Sequence, residues 1–235
     1  MSPAAWASVA AMTRPGALLL DLDGTLVDSE PLNAAALEAF CRERGAPLAD
    51  GETTYVIGHG WQEIYRELRL GERLGLGLAE TIAGAAAARE RMFGESIPLL
   101  PGVRELLVLA REAGIPTGLV TGSARVEAAQ VLRSLGDLAP RVTVCSDELA
   151  RGKPDPLGYL WVAERLGVAP ERCLVIEDSA AGIAAGLAAG MRVLATACAN
   201  PAPGAAGHQD QSRAHRRVDS LAGLGLAELA EIMDA

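Results

Sequence analysis

The chain has 235 residues, half of them apolar, and a formal net charge of −9. That length suits one large domain or a core with a smaller insertion, and the composition supplies a sizeable hydrophobic core. The acidic balance, with basic residues scattered rather than clustered, argues against a nucleic-acid surface and against an anionic membrane as partner. An anionic small substrate would therefore need a local positive centre, such as a metal ion.

The four cysteines, Cys41, Cys145, Cys173 and Cys198, are far apart and form no C-x-x-C pair. This argues against a disulfide framework or a zinc site, fits a reducing cytoplasm, and marks them as small core residues. The longest apolar candidate for a membrane span, Leu74 to Ala88, is interrupted by Glu80 and three glycines.

Met1 to Thr13 lacks a basic leader and a long apolar run, so it does not read as a signal peptide. Residues 1–15 are expected to be a disordered lead, with Met12 as an alternative start. The first element is a strand over Ala17 to Leu22, which runs into Asp21-Leu22-Asp23-Gly24-Thr25. Residues i and i+2 of a strand point the same way, so Asp21 and Asp23 converge where the strand breaks into a loop. Paired carboxylates repel unless a cation or a shared proton lies between them. The pair is consistent with a metal site, a nucleophile with an acid–base partner, or both.

From Ser29 to Glu95 the pattern is helical, with no good strand. Pro31 suits a first helical turn, Ala34 to Arg44 has helical periodicity, and Gly45 reads as its C-terminal cap. Further helices are expected over Gly60 to Leu70 and Leu78 to Phe93. Pro101-Gly102 marks the turn back into the main body.

Beyond it, strand-like runs at Pro116 to Thr121, Val142 to Cys145 (the weakest), Cys173 to Ile176 and Arg192 to Thr196 alternate with amphipathic helices. The helices are expected over Val103 to Glu112, Arg125 to Leu135, Leu157 to Leu166 and Ala180 to Ala189. This alternation implies βαβ units and a parallel sheet covered by helices on both faces. Asn200 to His215 reads as a loop, and a short helix over Leu224 to Ile232 closes the chain. The expected fold class is α/β, with a core formed by residues 16–28 and 97–235 and a helical insertion of residues 29–96.

Ligands bind at the carboxyl ends of the strands in open α/β sheets. Polar clusters lie there: Asp21 and Asp23 after the first strand; Thr121-Gly122-Ser123 after the second; Arg151-Gly152-Lys153-Pro154 before the third α/β unit; and Glu177-Asp178-Ser179 after Cys173 to Ile176. Each has an ordinary explanation, as a turn, a helix N-cap, a solvated lysine or a capping segment. Four at the ends of the sheet, in this order, favour a functional reading.

Order and residue types together resemble the haloacid dehalogenase superfamily, in its phosphatase branch with a helical cap inserted after the first strand. The resemblance rests on D-L-D-G-T at Asp21–Thr25, T-G-S at Thr121–Ser123, R-G-K-P-D-P at Arg151–Pro156 and E-D-S-A-A-G at Glu177–Gly182. It implies a Rossmann-like core and a Mg²⁺-dependent phosphatase acting on a small phosphorylated metabolite through an aspartyl-phosphate. Asp21 would be the nucleophile and Asp23 the general acid–base group. Mg²⁺ would be held by the Asp21 carboxylate, the Asp23 carbonyl and Asp178, with Glu177 close by or in the outer shell. Thr121, Gly122, Ser123 and Lys153 would bind phosphate, with Thr121 and Lys153 also counted as catalytic. Asp28 and Ser29 would hinge the cap.

Asp23 argues against dehalogenation, which needs no proton for a halide. A β-phosphoglucomutase-like mutase is the main rival, but Asn33 stands where that mutase has a cap histidine, and Ile57-Gly58-His59-Gly60-Trp61 brings no Lys or Arg. Phosphoglycolate phosphatase is a third candidate. Glu30, His59, Trp61 and Gln62 are candidates for reading the substrate from the cap. Trp61 and Tyr65, at i and i+4, are also placed to pack within it. Monomer and homodimer both remain compatible with the pattern.

Overall fold

A computed structural model describes residues 13–57, 59–94, 97–205 and 207–235. Most of the expected N-terminal lead, together with Gly58 in the glycine-rich turn, lies outside the described residues. Six parallel strands form one sheet: β1 (Ala17–Leu20), β2 (Thr117–Val120), β3 (Val142–Val144), β4 (Cys173–Glu177), β5 (Arg192–Thr196) and β6 (Arg216–Val218), in the order β3-β2-β1-β4-β5-β6. The chain winds outward from β1 through β2 to β3. It then crosses back to β4 on the other side of β1, so the order reverses between β1 and β4. Such a reversal opens a crevice at the strands' carboxyl ends.

The helices of the main body are α6 (Val103–Glu112), α7 (Arg125–Leu135), α8 (Leu157–Leu166), α9 (Ala180–Ala188) and α10 (Leu226–Asp234). They cover both faces, and the strand sequences show why. Leu18 and Leu20 of β1 and Leu174 and Ile176 of β4 join a cluster with Leu106, Val131 and Leu229. The alternate residues Ala17, Leu19, Cys173 and Val175 join the opposite cluster with Tyr159, Val162 and Ile183. Strands apolar at every position bury both faces, and each fully buried Leu or Ile contributes roughly 1.5–3 kcal/mol.

Between β1 and α6 lie five helices: α1 (Ser29–Glu43), α2 (Glu52–Val56), α3 (Trp61–Glu67), α4 (Leu70–Leu74) and α5 (Leu78–Phe93). Their buried apolar residues form a separate cluster drawn from residues 34–88, including Leu37, Phe40, Ile64, Leu70 and Ala85. Trp61 and Tyr65 pack against this cluster, and the Tyr65 hydroxyl donates to the Leu76 carbonyl at 2.7 Å.

One expectation needs correction, and some short elements were not expected. The helix expected over Gly60 to Leu70 stops at Glu67, because Arg69 adopts a left-handed φ of 50° before α4 begins. Arginine carries no signal for that conformation, whereas Gly45, at φ 73°, does. The five-residue α2 was not expected. Nor was β6, whose three residues pair with β5 at an exposed edge and show no apolar alternation.

Candidate active site

Asp21 follows β1 directly, and its N–H donates to the Ile176 carbonyl at 3.0 Å, which extends the pairing with β4 past the strand end. The carboxylate is 6% exposed. Lys153 Nζ lies 2.5 Å from Asp21 Oδ1 and 2.5 Å from Glu177 Oε1, so one ammonium bridges the motifs after β1 and β4. Lys153 comes from the loop between β3 and α8, where the Lys153–Pro154 peptide is cis.

The two aspartates of the D-x-D pair have partners on opposite sides. Asp21 is joined to Lys153, on the β4 side. Asp23 Oδ2 accepts the Ser123 hydroxyl at 2.6 Å and the Thr121 hydroxyl at 3.3 Å, both from the loop after β2. The Thr121–Ser123 hydroxyls therefore do not cap α7. That role falls to Glu127, whose Oε2 accepts the Ala124 N–H at 2.9 Å.

Gly24 turns the chain at φ +79°, and a Cβ there would lie 2.2 Å from Asp178 Oδ2. The missing side chain lets the turn after β1 approach the loop after β4. Asp178 also accepts the Thr25 hydroxyl at 3.3 Å.

Glu177 is fully buried. Its Oε1 accepts from Lys153 and, at 2.9 Å, from the Tyr159 hydroxyl; its Oε2 accepts the Asp178 and Ser179 N–H groups and the Ser179 hydroxyl. Tyr159 was missed by sequence reasoning, because a tyrosine on an apolar helix reads as core. Gln211 was missed as well: it is buried and its Nε2 donates to the Asp178 and Thr196 carbonyls at 2.7 Å each, bracing the loop after β4.

Charge at the site is unbalanced. Burial raises the Asp21 carboxyl well above its ordinary range; Lys153 opposes this, and Glu177, Asp178 and Asp23 add to the rise. Burial and then the neighbouring Glu177 push Asp178 up to about 7. Burial would lower the Lys153 ammonium, but Asp21 and Glu177 outweigh it and hold it well above its usual value. Burial would likewise raise Glu177, yet Lys153, the Ser179 N–H and the Tyr159 hydroxyl together outweigh it and hold the carboxyl low. Carboxylate oxygens of Asp21, Glu177 and Asp178 all lie within 4.8 Å of one another. A set of hard oxygen donors carrying more negative charge than one lysine offsets fits a small divalent cation such as Mg²⁺.

A cavity of about 270 Å³ opens over these groups. Asp21, Asp23, Gly122, Lys153 and Asp178 are among its lining residues. Asp28, Ser29 and Glu30, where the helical insertion begins, also line it, as do Ala199–Pro201, Gly207 and Gln209. The last of these segments is tied together: Asn200 Oδ1 accepts the Gln209 N–H at 2.8 Å, and Asn200 Nδ2 donates to the Gln209 carbonyl at 2.9 Å.

Of the four residues expected to read the substrate, Glu30 lines the cavity; His59, Trp61 and Gln62 are not among its lining residues. His59 stacks on Tyr55 at 4.1 Å and its Nδ1 lies 2.6 Å from the Tyr55 carbonyl. Trp61 Nε1 donates to Glu127 Oε1 at 2.9 Å, and Gln62 is exposed. Asn33 Oδ1 accepts from Arg89 at 2.8 Å.

Comparison with known proteins agrees with this arrangement. The family model described as haloacid dehalogenase-like hydrolase matches residues 15–190. Hexitol phosphatase A of Escherichia coli is 40% identical over 181 residues, covering 75% of this chain and 81% of that protein. The phosphorylated carbohydrates phosphatase of Thermotoga maritima is 34% identical over 177 residues, covering 74% and 82%. Among solved structures, CbbY from Rhodobacter sphaeroides in complex with phosphate superposes with a TM-score of 0.74 at 28% identity, over 92% of this chain and 99% of that one.

Proposed function

The chain belongs to the haloacid dehalogenase-like hydrolases and is a phosphoric monoester hydrolase; from that premise we propose that it hydrolyses a small sugar-phosphate-like monoester, with Mg²⁺, through an aspartyl-phosphate on Asp21. The observation that carries this reading is the division between the two aspartates: one is paired to the Lys153 ammonium, the other to two hydroxyls. Two carboxylates in different environments can take different roles.

Asp21 attacks phosphorus, forming a carboxylate O–P bond as the ester P–O bond breaks. Asp23 donates its proton to the leaving alcohol oxygen. It then takes a proton from the water that attacks the aspartyl-phosphate, which releases inorganic phosphate and restores Asp21. Lys153, with Thr121 and the N–H groups of Gly122 and Ser123, binds the phosphoryl oxygens, whose charge spreads in the transition state. Mg²⁺ would be held by the Asp21 carboxylate, the Asp23 carbonyl and Asp178, and when bound it offsets the repulsion between Asp21 and the substrate phosphate. Glu177 stands outside the direct ligands in this reading, because both its oxygens already accept from protein donors and it orients Lys153. Residues 29–96 act as a cap hinged at Asp28 and Ser29, and its closure excludes water from the cavity.

The lining of the cavity favours a neutral leaving group. Lys153 is its only cationic residue among those described, and Asp28 adds a further carboxylate to the lining where the helical insertion begins. A second phosphate, as a mutase must hold, or the carboxylate of phosphoglycolate would meet like charge there. A polyol or sugar presents hydroxyls that such carboxylates accept. The names of the relatives from E. coli and T. maritima point to the same class. The absence of paired cysteines supports a cytoplasmic setting.

The test is phosphate release from hexose 6-phosphates, hexitol phosphates and p-nitrophenyl phosphate, with and without Mg²⁺. Asp21→Asn abolishes turnover with the fold retained, and Asp23→Asn blocks hydrolysis of the intermediate. Substantial turnover by Asp21→Asn overturns the nucleophile assignment. Conversion of a hexose 1-phosphate to the 6-phosphate without phosphate release identifies a mutase instead.

A further inference from the structure

The first turn of α7 is gripped from the helical insertion at one residue. Trp61 Nε1, at the start of α3, donates to Glu127 Oε1 at 2.9 Å, and Arg89 Nη2, from α5, donates to the Glu127 carbonyl at 2.6 Å. Arg89 is 4% exposed, and its other hydrogen bonds run to Gln130 Oε1 on the next turn of α7 and to Asn33 Oδ1 on α1. The second carboxylate oxygen of Glu127 holds the Ala124 N–H at 2.9 Å. Ala124 follows Ser123, whose hydroxyl lies 2.6 Å from Asp23 Oδ2. One connected path therefore runs from Trp61 through Glu127, Ala124 and Ser123 to Asp23.

In an isolated helix a carboxylate at this position would use one oxygen for the cap and leave the other to water. Here the second oxygen is used by the insertion. Both ends of the carboxylate are thus fixed only while Trp61 is seated. We propose that Glu127 is a positioning residue that couples seating of the helical insertion to placement of the Thr121–Ser123 loop and, through Ser123, of Asp23. Withdrawal of the insertion removes the Trp61 and Arg89 donors together and frees the Glu127 side chain to leave the Ala124 N–H. The loop that would hold the phosphate and the proton-transferring carboxylate then loosens at the same moment. The inference rests on the assignment of Asp23 as the acid–base group.

The test uses the full chain and a double-mutant cycle of Trp61→Phe, which removes only the N–H donor along with ring size, and Glu127→Gln, which keeps shape and one acceptor oxygen. The substrates are p-nitrophenyl phosphate and a hexose 6-phosphate, with thermal melting measured in parallel. Coupling predicts that each single variant lowers kcat by about tenfold with little change in KM on both substrates, and that the double variant is no worse than the singles because they cut the same path. A fall in melting temperature with unchanged kcat makes the contact merely structural and overturns the proposal. So does a double variant whose loss equals the product of the single losses. Asp23→Asn, assayed alongside, separates the two readings: its retention of hydrolysis refutes the acid–base assignment, whereas an inactive Asp23→Asn beside fully active Glu127→Gln refutes only the coupling.

Discussion

A Cβ placed on Gly182 would lie 1.7 Å from Glu177 Oε1, far inside any tolerable contact. Gly182 sits in the first turn of α9, and its N–H donates to the Ser179 hydroxyl at 3.0 Å. The Glu177 carboxylate cannot simply swing aside, because it accepts from Lys153, Tyr159, Ser179 and the Asp178 and Ser179 backbone. Gly182→Ala must therefore displace the carboxylate and, with it, the lysine that touches Asp21. A misplacement near 1 Å costs on the order of 10²-fold in rate. We expect kcat on p-nitrophenyl phosphate to fall by about that factor while the circular dichroism spectrum stays native. A wild-type kcat would show that the Glu177–Lys153 geometry is not needed.

The Tyr159 hydroxyl is buried and donates to Glu177 Oε1 at 2.9 Å. Tyr159→Phe removes one donor from an ionised, fully buried carboxylate and leaves the ring packing in place. Hydrogen bonds to charged groups contribute roughly 1.5–3 kcal/mol. The urea midpoint is expected to fall accordingly at an unchanged m-value. An unaltered midpoint would mean that Lys153 and the backbone amides hold Glu177 without help.

Residues that carry their own chemical signal were the legible part of the site. Asp21, Asp23 and Asp178 stand just past strand ends and Lys153 in the loop between β3 and α8, and near-continuous apolar runs predicted the central strands that bring them together. The strand Arg192–Thr196 and the helices Val103–Glu112, Arg125–Leu135 and Leu157–Leu166 have the observed limits. What stayed hidden depends on contacts between distant segments. Trp61 meets Glu127, 66 positions away, and Arg89 meets Gln130, 41 positions away; no local pattern encodes either pairing. Gln211 lies in a stretch that reads as plain loop, although its amide is buried against two carbonyls. The left-handed Arg69 that divides α3 from α4 breaks the glycine rule used to locate helix ends.

His215 supplies a pH-dependent element outside the candidate active site. Its Nδ1 accepts the Val193 N–H at 3.0 Å, which requires the neutral ring with the proton on Nε2. Burial, and then the nearby Arg192, lowers its pKa from the ordinary value of 6.5. With the folded value depressed, the unfolded chain binds the proton first. The stability that His215 contributes is therefore present above about pH 6.5 and is lost as pH falls through the folded pKa. His215→Asn keeps an acceptor near the Nδ1 position without titrating. Between pH 7 and pH 5 the melting temperature of the variant should decline less steeply than that of the wild type. Parallel declines would remove His215 from the acid sensitivity.

Metal binding should be visible without turnover. Asp21 and Asp178 are crowded by like charge, and Asp178 is pushed up to about 7. A cation held between them in the folded chain stabilises it by RT ln(1 + [L]/Kd), about 2.7 kcal/mol at a hundredfold excess over Kd. Adding MgCl₂ to protein stripped with EDTA should raise the melting temperature in a concentration-dependent, saturable way, and KCl of equal ionic strength should not. Asp178→Asn removes a ligand charge while keeping the side-chain shape, so it should abolish most of the Mg²⁺-dependent rise. Glu177→Gln discriminates between direct and indirect roles: because Glu177 is occupied by protein donors, the variant should keep the larger part of the Mg²⁺ shift while losing activity through Lys153. A shift lost equally in both variants would make Glu177 a direct ligand.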